Sequence, residues 1–317
     1  MEKLKKTVLI TGASGFIGLH IVKIFSKHNW QIFAVVNSNT PQELYQINNV
    51  KIIRADITKK ELVKSLPKAD IVIHAAARAS DIGNDKIFKK LNFEPVKIIS
   101  QLAIKKFIYI SSTDVYGLKD FYFADESSIL PERKIINPYQ KYKIKSEKWI
   151  KENLDKNKYI IIRPAAVWGE GDKTLEKRFV DFLKYSPFIV YFGKWKGNNR
   201  WPLANVETLA KTIHILSNTD EFNGEAINII DKKHTTLCEF YKKMTQKHFP
   251  NKKFHNIYLP LWLGISIGGI STFVSNMLRL KSPIFDPSLY AVLSVSHNLD
   301  FSCEKLEKIL NCNICEN

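Results

Sequence analysis

Residues 7–18, Thr7-Val8-Leu9-Ile10-Thr11-Gly12-Ala13-Ser14-Gly15-Phe16-Ile17-Gly18, constrain the fold more than any other stretch. An apolar run rich in β-branched residues ends in a glycine turn. The turn opens into Phe16–Phe25, where apolar residues recur at helical spacing. Strand, glycine turn and helix form the context of a dinucleotide-binding fingerprint. Gly12 permits the tight turn, Gly15 lets backbone approach a pyrophosphate, and Gly18 lets the helix pack on the strand. Free N–H groups of Ser14, Phe16 and Ile17 then face the phosphates. The spacing is G-x-x-G-x-x-G rather than G-x-G-x-x-G.

Strand and helix patterns alternate after this turn. Strands are predicted at 31–36, 50–56, 69–74, 106–111 and 159–162, with helices at 61–66 and 86–104 among those between them. That order predicts an α/β fold with a doubly wound parallel sheet. Ligands of such a sheet bind at the carboxyl ends of its strands. After the second strand, an acid would bind the ribose hydroxyl of NAD and a base the extra phosphate of NADP. Asn37-Ser38-Asn39 is neither. The missing acid tips the expectation from NAD toward NADP. Asp56 ends the third strand, where it can serve the adenine amino group or simply form a turn.

Tyr139 and Lys143 stand four apart on a predicted helix, and so share one face. A lysine ammonium beside a phenol stabilises the phenolate and lowers its pKa from about 10. Such a tyrosine can exchange a proton with an alcohol or carbonyl. Ser112 would hold the same oxygen, and a nicotinamide would exchange the hydride.

Together these motifs resemble the extended short-chain dehydrogenase/reductase family. The resemblance rests on Gly12-x-x-Gly15-x-x-Gly18, Asp56-Ile57, His74-Ala75-Ala76-Ala77, Asn92, and Ser111-Ser112 with Val115-Tyr116-Gly117. It continues through Tyr139-x-x-x-Lys143, Glu147, Arg163-Pro164 and Gly169-Glu170-Gly171-Asp172. It implies a Rossmann-type sheet over 1–164, with segments near 201–230 returning to it. A smaller mixed α/β substrate lobe would comprise 165–200 and 231–317. It implies that Ser112, Tyr139, Lys143 and Asn92 are catalytic, with Thr113 as a nearby hydroxyl and Asn92 bracing the proton relay. Lys143, Ala75, Ala76, Ile57 and Pro164 would line the cofactor, and Arg78, Thr113, Ala166 and Trp168 the substrate. Tyr142 stands where relatives carry a small serine and is expected to narrow the site. Pairing of two copies through the helices bearing Asn92 and Tyr139 is implied as well.

Ala165-Ala166 replaces an asparagine that sugar-nucleotide enzymes of the family place after Arg-Pro. Residues 257–278 contain no charge, and Arg279 and Lys281 follow. This segment, with His297-Asn298-Leu299-Asp300 and Lys305, resembles the 3β-hydroxysteroid dehydrogenase/isomerase-like branch. A buried or lobe-interface helix and a surface-docking helix at a lipid-facing substrate mouth both fit it. It is long enough to span a membrane, but Pro260, Gly264, Gly268 and Gly269 make it a poor span. The expected activity is therefore NAD(P)-dependent interconversion of a secondary alcohol and a ketone on a hydrophobic, steroid-like molecule. A sugar-nucleotide epimerase or dehydratase is the alternative, and a non-catalytic nucleotide-sensing or RNA-associated protein the third reading.

The net charge of +17 does not by itself point to nucleic acid, because the lysines are scattered and no nucleic-acid module is present. Four cysteines in 317 residues make no disulfide framework, and the lone Cys312-x-x-Cys315 lacks a second ligand pair, so no metal is expected. The first residues run directly into a strand, so no signal peptide is expected and the protein is placed in the cytoplasm.

Overall fold

The computed structural model describes residues 6–38, 40–132, 135–172 and 174–314. Asn39 and Cys315 of the sequence predictions lie outside them, as does the side chain of Cys312. The strands are β1 (Lys6–Thr11), β2 (Trp30–Val36), β3 (Val50–Arg54), β4 (Ala69–His74), β5 (Ala103–Ile110), β6 (Phe121–Ala124) and β7 (Tyr159–Pro164). They continue with β8 (Ala166–Trp168), β9 (Phe188–Phe192), β10 (Leu203–Asn205), β11 (Ala226–Ile229), β12 (His255–Leu259) and β13 (Leu299–Phe301). Seven of them form one sheet in the order β11-β7-β5-β4-β1-β2-β3, all pairs parallel. Near-continuous apolar runs such as Tyr159–Ile162 are buried on both faces, as a parallel sheet with helices on each side demands. The strand order reverses between β1 and β4, which places the ligand crevice beside the glycine turn.

Outside the main sheet are three small parallel pairs, β8 with β10 and β9 with β12 from the segment after residue 165, and β13 with β6, which lies earlier in the chain. The helix Val206–Leu216 packs on the glycine-turn helix Phe16–Ser26, and β11 joins the main sheet. The last helix, Glu304–Ile314, packs back on the helix Val206–Leu216 and on β11.

The predicted helix over 86–104 is not continuous. It divides into Asp85–Phe88, a π-helical turn at Lys89–Phe93, Glu94–Ile99 and a 3-10 turn, and β5 already begins at Ala103. Pro95 has no N–H to return to the preceding turn, so the chain is wound wider just before it.

A buried polar network ties the helix Pro138–Asn153 to the sheet. Arg163 on β7 donates from Nε and Nη2 to the two oxygens of Glu147, at 3.0 and 2.6 Å. The same carboxylate accepts from Ser111 Oγ at 2.6 Å. Arg163 Nη1 reaches Tyr116 Oη at 2.8 Å, and Tyr116 donates to Asn228 on β11 at 2.8 Å. Both charged side chains are 1% exposed, so each requires the other. Arg163→Met leaves Glu147 charged and unpaired, and is expected to lower stability by about 3–5 kcal/mol in urea unfolding followed by circular dichroism. A loss below about 1 kcal/mol would show that the pair does not anchor the helix.

Candidate active site

The glycine turn has the backbone its sequence requires. Gly12 has φ +69, and a Cβ there would lie 2.8 Å from Ala76 Cα. A Cβ on Gly18 would lie 2.1 Å from the Gly12 carbonyl oxygen. Helix and turn are thus closer than any side chain permits. Gly15 is the N-cap of the helix Phe16–Ser26, whose first turn has no acid. Its open N–H groups suit an anion. Thr11 and His74 hold the neighbouring β4 end, with Thr11 Oγ1 and His74 Nδ1 2.7 Å apart. Burial depresses the His74 pKa to about 3, so the ring is neutral. Ala75 N–H donates to the Thr11 carbonyl at 3.3 Å and Ala76 N–H to its hydroxyl at 3.4 Å. This is a cradle of backbone and small residues, and a dinucleotide phosphate fits it.

Next to it, Ser112 caps the 3-10 turn Thr113–Tyr116 at the end of β5, accepting from Asp114 N–H at 3.1 Å. Asn137 caps the helix Pro138–Asn153 by accepting from Gln140 N–H at 2.8 Å, with Pro138 in the first turn. That start brings Tyr139 against Ser112. Lys143, one turn on, is buried and donates to the Ile110 carbonyl at 2.5 Å, with its Nζ 5.6 Å from the Tyr139 ring centre. Asn92 sits in the π-helical turn. Its side chain accepts from Arg78 N–H at 2.8 Å and donates to the Arg78 carbonyl at 3.0 Å, while its own carbonyl accepts from Ser146.

The profile of the NAD dependent epimerase/dehydratase family matches residues 8–229. The chain belongs to that family. A decarboxylating sterol-4-alpha-carboxylate 3-dehydrogenase of Candida albicans is 24% identical, over 90% of this chain and 87% of its own. Its counterpart in Dictyostelium discoideum is 23% identical, over 87% of each. A putative UDP-glucose 4-epimerase of Methanocaldococcus jannaschii is 26% identical over 74% of this chain and 80% of its own. Among solved structures, a UDP-glucuronic acid 4-epimerase of Bacillus cereus with UDP-glucuronic acid and NAD superposes with TM-score 0.69 at 20% identity, over 96% of this chain and 93% of its own.

For a member of the epimerase/dehydratase family, two electrostatic features are notable. The lysine spacing predicts a Tyr139 pulled toward neutrality, and the structure shows the opposite direction. Burial and then the charge of Asp114 raise its pKa above 10, and only the Ser112 hydroxyl opposes them. Lys143 itself is lowered to about 7 by burial, against Glu147 and Asp114. Its ammonium points at the Ile110 carbonyl rather than at the phenol.

Asp114 was not foreseen from the sequence. Its carboxylate accepts from Tyr290 Oη at 2.8 Å, and burial lifts its pKa to about 6. Tyr290 belongs to the helix Leu289–Ser296, 176 residues away in the chain. Only the fold brings the two together. Arg54 is the other such residue. The β2–β3 register sets it opposite Val36, and its guanidinium reaches the Ser38 carbonyl at 3.5 Å and Tyr45 Oη at 2.8 Å. A base thus lies beside exposed Asn37, where the sequence shows none.

Several predicted residues are differently engaged. Asp56 folds into a turn, accepting from Thr58 N–H at 2.9 Å and Thr58 Oγ1 at 2.8 Å. Tyr142 faces away from the site. It donates to Asp85 at 2.8 Å and packs on Phe93, because its position on the helix face points toward the π-helical turn. Trp168 donates to Asp231 at 2.6 Å, and Lys243 lies 4.5 Å from its ring centre. Ala166 precedes it on β8 and Thr113 is buried. Arg78 lies over Phe88 with its Nε buried and without a partner. His297 caps the end of its helix on the Leu293 carbonyl at 2.9 Å, and Asp300 lies near His234. Cys238 and Cys303 are free thiols, and no metal-ligand cluster occurs among the described residues.

A folded-state pKa of about 6 means that ionised Asp114 opposes folding above that pH, and that this penalty disappears below the ordinary carboxylate pKa. Asp114→Asn is therefore expected to stabilise the fold at about pH 8, with the gain shrinking toward about pH 4 in urea titrations at both values. An equal effect at both would show that the carboxylate is not held by burial.

Proposed function

We propose that the chain is an NAD(P)-dependent dehydrogenase/reductase that interconverts a secondary alcohol and a ketone on a hydrophobic, steroid-like molecule. The observation that carries this reading is the Ser112–Tyr139–Lys143 set, with Lys143 buried, beside the glycine cradle. The sterol dehydrogenases among its relatives support the substrate class. Ala165-Ala166, with no amide to offer a diphosphate, favours it over a sugar nucleotide. The nucleotide-binding part takes in 1–164 with about 201–230, and 165–200 and 231–317 make up the substrate lobe.

When bound, the nicotinamide accepts or supplies the hydride. The backbone N–H groups of Ser14, Phe16 and Ile17 hold the pyrophosphate, and Asp56-Ile57 the adenine. Ala75, Ala76 and Pro164 line the seat, and Lys143 holds the ribose. Asn37 with Arg54 favours the extra phosphate of NADP, since the guanidinium pairs well with phosphate. Ser112 donates to the substrate oxygen, and Thr113, Arg78, Ala166 and Trp168 border the substrate. In reduction, the protonated Tyr139 hydroxyl gives its proton to the forming alkoxide. In oxidation, the alcohol proton returns to Tyr139. Asn92 holds the Arg78 backbone and so positions the loop after β4.

Tyr139→Phe is expected to cut NADPH-dependent reduction of hydrophobic ketones about 10²–10⁴-fold, read by product mass spectrometry, with NADPH affinity retained. Unchanged turnover would remove Tyr139 from the chemistry. Reduction is expected to slow as pH rises through about 7, where Lys143 loses its proton. Arg54→Ala is expected to weaken NADPH binding about tenfold while sparing NADH, by nucleotide fluorescence titration. Equal losses for both would refute the NADP preference.

A further inference from the structure

The helix Leu261–Met277 has one buried and one exposed face. Gly264, Gly268, Ser271 and Ser275 are buried. A Cβ on Gly268 would lie 2.9 Å from Leu289 Cα, so this helix meets the helix Leu289–Ser296 backbone to backbone. The small residues therefore face the protein, and the large apolar ones face outward. Trp262 is 67% exposed, Ile270 60%, Phe273 69% and Met277 63%. These positions recur at the spacing of one helix face, about 25 Å long. Among the described residues no helix is long and apolar enough to cross a membrane.

We infer that this face docks on an anionic phospholipid bilayer, with the helix lying in the interface. Charge selects this occupant. From Asn251 to Phe285 the chain carries Lys252, Lys253, Arg279 and Lys281 and no acidic residue. Exposed Arg279 and Lys281 directly follow the helix. A second copy related by a two-fold axis would bring the same acid-free segment against itself, with no carboxylate of that segment to meet these cations. Lipid phosphates supply that charge, and the acyl boundary accepts Trp262, Ile270 and Phe273. The face also adjoins the candidate site. Asn276 accepts from Gly83 N–H at 2.9 Å in the loop after β4, and the partner helix carries Tyr290 to Asp114. Docking would bring the mouth of the site to the surface from which an apolar substrate leaves the bilayer. Only this last point rests on the proposed function.

The test is flotation of the full chain with vesicles of phosphatidylcholine alone or mixed with phosphatidylglycerol, with NADPH binding measured on every variant. The wild type is expected to float with the mixed vesicles. Ile270→Glu/Phe273→Glu is expected to lose at least about tenfold in bound fraction. Arg279→Glu/Lys281→Glu is expected to lose the preference for the anionic lipid. NADPH binding should be unchanged throughout. A wild type that stays with neither vesicle, or an apolar-face variant that floats as well as the wild type, would overturn the inference. So would a dimer in sedimentation that the same variant dissociates, which would assign the face to a second copy. Failure of NADPH binding in the wild type would count against the proposed function, not against docking.

Discussion

The Glu147–Arg163 pair is the contact on which the arrangement of this site depends. Glu147 lies on the same helix as Tyr139 and Lys143, and Arg163 ends the strand next to β5. The pair also takes in Ser111, one residue before Ser112, and Tyr116, four residues after it. One desolvated contact therefore fixes both the helix that carries the tyrosine and the loop that carries the serine. Burying two charges is costly, and the cost is met only when every lone pair and N–H finds a partner. That demand makes the geometry rigid: a small shift of the helix would leave a charge unpaired.

The electrostatics around Tyr139 follow from the same burial. In an open site, a lysine four residues on would draw the phenol toward ionisation. Here desolvation raises the phenol and lowers the ammonium together, and Asp114 adds its negative charge. The result is a hydroxyl that holds its proton, which is the state needed to protonate a nascent alkoxide. The Asp114–Tyr290 bond then links this site to the C-terminal part of the chain, since Tyr290 stands on the helix against which Leu261–Met277 packs.

The parts legible in the sequence were those encoded locally. Three glycines at fixed spacing describe a backbone path that no other residue can follow, and Tyr139 with Lys143 needs only a helix between them. The parts that were not legible depend on distant chain segments. Asp114 looks like an ordinary turn residue until Tyr290 is brought to it, and Arg54 becomes relevant only through the pairing of β2 with β3. Tyr142 misled because spacing places a side chain on a helix without saying which neighbour that side meets. The break in the helix over 86–104 was signalled by Pro95, and apolar periodicity on both sides obscured it. For 261–277, composition left burial and exposure equally open. The glycine and serine stripe turned out to face the protein.

The most direct measurement of the central claim is native mass spectrometry of freshly purified protein, before and after addition of NADPH or NADH. An alcohol/ketone dehydrogenase must exchange its nucleotide in every cycle. The account predicts a site that is empty or partly filled on purification and that fills reversibly to one nucleotide per chain. A stoichiometric, tightly held NAD that added nucleotide does not displace would contradict it, and would point to an enzyme that regenerates its cofactor within a single turnover, as a sugar-nucleotide epimerase does.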